Sequence, residues 1–147
     1  MTDHRQLGVD LFNHTSTLLE KEDRTPDEDE EMVHAAHASA YHWLHAEGAR
    51  PENRARSDWQ LSRVYAVLGS GEPALDHAQL CLNRCVENGI GDWDLAFAYE
   101  ALARAHKVAG NDVEFERNLA LAGDAGAKII EFEDRDLLEK DLAELAK

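Results

Sequence analysis

Asp58-Trp59-Gln60-Leu61-Ser62-Arg63-Val64-Tyr65 and Asp92-Trp93-Asp94-Leu95-Ala96-Phe97-Ala98-Tyr99 share one phrase, Asp-Trp-x-Leu-x-x-x-Tyr. From Asp58 to Asp92 the step is 34 residues. A period of that length predicts stacked helical hairpins. One hairpin cannot bury its own apolar face and must lean on the next.

The residues around the phrase agree with this. Val, Ile and Thr are sparse, Ala and Leu are abundant, and no stretch alternates with period two, so strands are not expected. Leu7, Leu11, Phe12, Leu18 and Leu19 define a first amphipathic helix over about residues 4–20. Thr25-Pro26-Asp27-Glu28 opens a second: Thr25 caps, Pro26 suits the first turn, and Glu28 completes a capping box. That helix is expected to end at Gly48. Pro51 starts a third, ending near Gly69, and Ser70 caps a fourth, stopped by Asn88-Gly89. Asp92 or Gly91 opens a fifth, ending at Gly110. Asn111 with Glu114 starts a sixth, which Gly123 or Gly126 ends or interrupts. Asp134 caps a last helix carrying Leu137, Leu138, Leu142 and Leu145. The expected architecture is all-α: one domain over residues 1–147, with about seven helices. Hairpins span about 4–48, 51–89 and 92–126, and a capping helix about 134–146.

Within this frame the third and fourth helices resemble a tetratricopeptide (TPR) repeat. Counting back from Gly69, Leu61, Ser62 and Tyr65 stand where that family places Leu, a small residue and Tyr. Ala74 and Leu82 occupy its small and apolar positions on the second helix. The fifth and sixth helices match in Leu102, Ala103 and Ala105. They depart at His106, where Tyr is expected, and at Phe115, where a small residue is expected. Gly69 and Gly110 are 41 residues apart, seven more than the Asp-Trp step. Seven residues are two helical turns, so both registers turn the same face inward. The resemblance, over about residues 57–122, implies a short right-handed α-solenoid and a protein-binding scaffold. It also implies an inner face on the first helix of each hairpin, with Asp58, Leu61, Tyr65 and Leu68, then Tyr99, Leu102, His106 and Ala109. An all-helical bundle of other topology is the competing architecture.

Composition narrows the partners. Thirty Asp and Glu against fifteen Lys and Arg give a formal charge of -15 in 147 residues. That field disfavours nucleic acid and anionic membrane. No apolar run approaches the roughly 20 residues of a membrane helix. Asp3, His4, Arg5, Asp10 and His14 break up any leader-like segment at the start. Cys81 and Cys85, four apart on one helix, read as reduced, packed thiols of a cytoplasmic protein.

No catalytic signature stands out. Gly69-Ser70-Gly71 lacks the Lys of a phosphate loop, and there is no nucleophile elbow. The expected site is therefore a binding surface, with Trp59, Arg63, Tyr65, Tyr99 and His106 as anchors for a protein or peptide or for a second copy of the chain. Two other readings stay open. His34 and His37, with His14 as a third ligand, form a possible zinc or iron site, since Glu31-x-x-His34 has the spacing of half a carboxylate-bridged di-iron centre. The competing reading has these histidines packing between helices or facing water. A small-molecule pocket between the second and third helices would be lined by His37, Tyr41, Trp43 and Trp59. Arg50, Arg54, Arg56 and Arg63 would meet internal acids or an anionic ligand. If His14, His34, His37 and His42 are buried and neutral, stability should fall between about pH 7 and 5.

Overall fold

The structure, a computed structural model, describes residues 1–147. Seven α-helices account for the fold: α1 His4–Glu20, α2 Pro26–His45, α3 Pro51–Val67, α4 Gly71–Glu87, α5 Asp92–Ala109, α6 Asp112–Gly126 and α7 Phe132–Leu145. There is no strand. α1 packs on α2, α3 on α4, and α5 on α6. The odd-numbered helices also meet in series, α1 with α3, α3 with α5, and α5 with α7, while α2 meets α3 and α4 meets α5. The result is the expected stack of helices in chain order.

Local chemistry sets most boundaries. The Thr25 hydroxyl accepts from the Glu28 N–H at 3.2 Å, and the Thr25 N–H donates to Glu28 Oε1 at 3.1 Å, a complete capping box. Thr25→Ala should cost about 1 kcal/mol, read from chemical denaturation. Gly110 ends α5 at φ 81°, a left-handed cap that suits glycine. Three expectations shift. α2 stops at His45 rather than Gly48. Neither Ser70 nor Asn111 makes a side-chain cap bond, although each stands at its N-cap. α7 begins at Phe132, with Glu131 rather than Asp134 at its N-cap. Gly123 does not interrupt α6, which runs to Gly126.

The core between α3, α4 and α5 is made of small residues. Ala66, Ala74, Ala78, Ala101 and Ala105 surround Leu102, and all are buried. Small side chains let helix axes approach, so close packing replaces bulky interdigitation. At the first hairpin Gly8 does the same job: a Cβ there would lie 3.0 Å from the Trp43 indole. α3 is buried on nearly every side and carries polar residues inward. Gln60 donates to the Phe12 carbonyl at 2.9 Å and to Ser16 Oγ at 3.1 Å. Ser62 donates to the Ala74 carbonyl at 2.8 Å. Buried polar groups that find partners in this way fix the register of neighbouring helices.

Candidate binding groove

At about 100° per residue, α3 presents two opposite flanks. Arg56, Trp59, Arg63 and Val67 share one. Arg54, Ser57, Asp58, Leu61 and Tyr65 share the other. The first flank forms, with α5, the floor of a groove walled by α1 and α7. Two cavities of about 550 and 510 Å³ lie along it and adjoin at Glu20, Trp59 and Arg63. Arg104, Lys107 and Leu145 line the first. Trp93, Phe97 and Leu137 line the second.

Aromatic rings build the second cavity. Trp59 and Trp93 both stand edge-on to Phe97, with ring centroids at 6.1 and 6.2 Å. Each indole carries a guanidinium: Arg63 lies 5.7 Å from the Trp59 ring and Arg56 lies 4.5 Å from Trp93. The two tryptophans of the repeated phrase therefore share one environment. They reach it from different places, because Trp59 lies mid-helix and Trp93 is the second residue of α5. Their aspartates diverge. Asp58 is buried, whereas Asp92 is exposed at φ 53° and accepts the Ile130 N–H at 3.2 Å.

Buried acids hold the arginines in place. Arg56 reaches both oxygens of Asp94 at 3.0 Å. Glu100 is wholly buried, and its Oε1 accepts from Arg104 Nη2 at 2.7 Å and Nε at 3.0 Å. Arg63 Nη1 lies 3.5 Å from the same oxygen and 3.5 Å from Asp141 on α7. The buried Trp59 indole N–H and Glu100 Oε2 have no partner. Lys107 donates to the Leu145 carbonyl at 2.5 Å, tying α5 to the end of α7.

Of the five residues the sequence nominated, the structure brings Trp59 and Arg63 together in the groove. Tyr65, Tyr99 and His106 lie on other flanks. Tyr65 bonds His37 Nε2 at 2.7 Å, Tyr99 packs against the alanine-rich core, and His106 pairs with Asn111 at 3.1 Å. Leu61 and Leu102, on the inner face the resemblance implied, are 3% and 4% exposed and so are packed rather than open. Arg104 and Lys107 were missed. The glycine register held a signal for Arg104, since it follows Arg63 by the same 41 residues that separate the two glycines.

His14, His34 and His37 do not converge. His14 pairs with Glu31 at 3.1 Å and His34 with Glu30 at 3.6 Å, both exposed, and His37 turns to Tyr65. No group of three or more His, Cys, Asp or Glu is placed to hold a metal ion, so these three residues do not assemble the zinc or iron site considered above. Cys81 and Cys85 are free and buried against Ala55 and Ala98. Hydrogen bonding to Cys85 and burial push the Cys81 thiol far above its ordinary range. The predicted pocket is divided as well: Trp43 packs on Gly8, and Trp59 lies across α3 from His37 and Tyr41.

The pH expectation narrows to His37. Desolvation, then repulsion from His77 and His34, lowers its pKa below the usual imidazole value. The unfolded chain then binds the proton more readily than the native one. Stability should be intact above about pH 6.5 and decline as pH falls below it. Denaturation at pH 7.5 and 5.5 should show the drop, and His37→Gln should reduce it. An unchanged profile in the variant would assign the effect elsewhere.

No helix is long and apolar enough to cross a membrane. Compared with protein-family models, curated proteins and solved structures, the chain matches none.

Proposed function

We propose that this protein is a non-catalytic scaffold of TPR type that holds a peptide segment of a protein partner in the groove of α1, α3, α5 and α7. The observation that carries this reading is the position of Trp59 and Arg63 at the junction of two cavities. A ligand spanning both must pass them, and Trp and Arg are the residue types that most often dominate binding energy. The cavities differ in chemistry. Trp93 and Phe97 suit an apolar or aromatic side chain. Arg104 and Lys107 line the other cavity beside Glu20 and Glu144, and each already holds a partner, Glu100 and the Leu145 carbonyl, so that end suits a neutral polar group. The preferred segment is thus short, with an aromatic residue and a neutral polar one a few positions apart. The reduced, buried thiols and the acidic surface fit a cytoplasmic protein.

Selection from a random peptide library tests this directly. Retained peptides should be enriched in aromatic residues. Trp59→Ala should weaken them by at least about tenfold, roughly 1.4 kcal/mol, whereas Val113→Ala, exposed on α6, should not. Peptides that bind both variants equally would remove the groove from consideration. A dimer in light scattering that Trp59→Ala dissociates would make a second copy of the chain the occupant.

A further inference from the structure

The opposite flank of α3 faces a second, chemically different cleft. We propose that this cleft, between α2, α3 and α4, binds a small organic anion: a phosphate monoester or carboxylate with an apolar body.

Asp58 is the single carboxylate lining this cavity of about 300 Å³. Both its oxygens are engaged, Oδ2 by Arg84 Nε at 2.7 Å and Oδ1 by His77 Nδ1 at 3.1 Å. Arg84 is held by Nε alone, so its two terminal amino groups stay free for another acceptor. Arg54 lines the same cavity and makes no ion pair or side-chain hydrogen bond. Of the ten arginines, Arg5, Arg54 and Arg135 meet no acid, and the other two lie over aromatic rings, Trp43 and Phe132, whereas Arg54 does not. The other arginines of its run do meet acids: Arg50 meets Glu52, Arg56 meets Asp94 and Arg63 meets Glu100.

A third, independent donor points the same way. Ser57 is 8% exposed, lines the cleft, and its hydroxyl has no partner. A buried hydroxyl left unbonded costs free energy, which an acceptor supplied from outside would recover. Two guanidinium groups, one hydroxyl and no free carboxylate together describe an anion site.

The far wall sets the rest of the ligand. Ala40, Leu44 and Leu61 are apolar, and Tyr41 adds a ring. Arg54, Arg84 and Leu44 also line an adjoining cavity of about 320 Å³, so a ligand longer than a bare ion has somewhere to extend. Each volume lies at the lower end of the range for small-molecule pockets. An inorganic ion would leave the apolar wall unused.

Calorimetric titration of the full-length protein at constant ionic strength tests the site with three probes: inorganic phosphate, phenyl phosphate and benzoate. Phenyl phosphate or benzoate should bind saturably, with a dissociation constant under about 1 mM and at least about tenfold tighter than inorganic phosphate. The stronger of the two identifies the head group. Arg54→Gln should weaken it about tenfold or more. Arg54 is exposed and makes no polar side-chain contact, so this variant keeps the fold, and its circular dichroism and melting curve should match the parent's. Ser57→Ala should weaken binding severalfold. Arg63→Gln, on the groove flank, should leave it unchanged. Absence of saturable binding by either organic probe would overturn the proposal. So would equal weakening by Arg54→Gln and Arg63→Gln, or equal affinity for inorganic phosphate, which would mark a diffuse charge effect.

Discussion

Arg104→Ala should lower the unfolding free energy by about 3 kcal/mol or more, the largest loss expected from any change at the groove. Glu100 is wholly buried on α5, and Arg104 gives it two short hydrogen bonds to one oxygen. Without Arg104, the carboxylate keeps only Arg63 at 3.5 Å, and that guanidinium is shared with Asp141. A buried charge stripped of its main partner is far more costly than an exposed pair that is broken. The companion experiment is the double variant Glu100→Gln with Arg104→Ala. It removes the charge as well as its partner and should recover a large part of the loss. If Arg104→Ala stays within about 1 kcal/mol of the parent in urea denaturation, the Glu100 carboxylate is not held as a buried ion.

Leu138→Ala should cost about 3 kcal/mol and should act on one element first. α7 buries two residues, Leu138 and Leu145. Leu138 is fully enclosed with Ala96, Phe97 and Ile129. It sits where Gly126 has no side chain: a Cβ on Gly126 would come within 2.4 Å of its terminal methyl. Truncation would leave a cavity that the closely packed helix ends cannot collapse around. Hydrogen exchange should show the amides of Phe132–Leu145 losing protection before those of α3 and α5, because Leu138 is one of only two residues that α7 buries. Uniform loss across the chain would show that α7 unfolds only with the whole.

The helices were legible because their limits are set locally. Thr25-Pro26-Asp27-Glu28, Pro51, Asn88-Gly89 and Gly110 each punctuate the chain by backbone or capping chemistry that needs no tertiary partner. The inward flank was not legible for the opposite reason. α3 is enclosed on most sides, so its apolar residues do not form one stripe, and hydrophobic periodicity loses its meaning. Leu61 and Tyr65 look like a binding face and are instead packed against α2 and α4, while Trp59 and Arg63 open to the groove. Asp58, Asp94 and Glu100 read as three acids among thirty. Their burial depends on Arg84, Arg56 and Arg104, two of them on other helices, and a linear sequence does not announce such pairings. The Asp-Trp phrase itself gave the right face for both indoles at positions that are not equivalent in their helices.

Arg56 must find Asp94 and Arg63 must find Glu100, each supplied by the following hairpin alone. The hairpins are therefore not interchangeable modules. Duplicating α3–α4 in tandem would put Asn53 where Asp94 stands and Trp59 where Glu100 stands, 41 residues on, so the first copy's Arg56 and Arg63 would lose those acids. Length in this stack is fixed by matched charges, and the array cannot grow by simple copying.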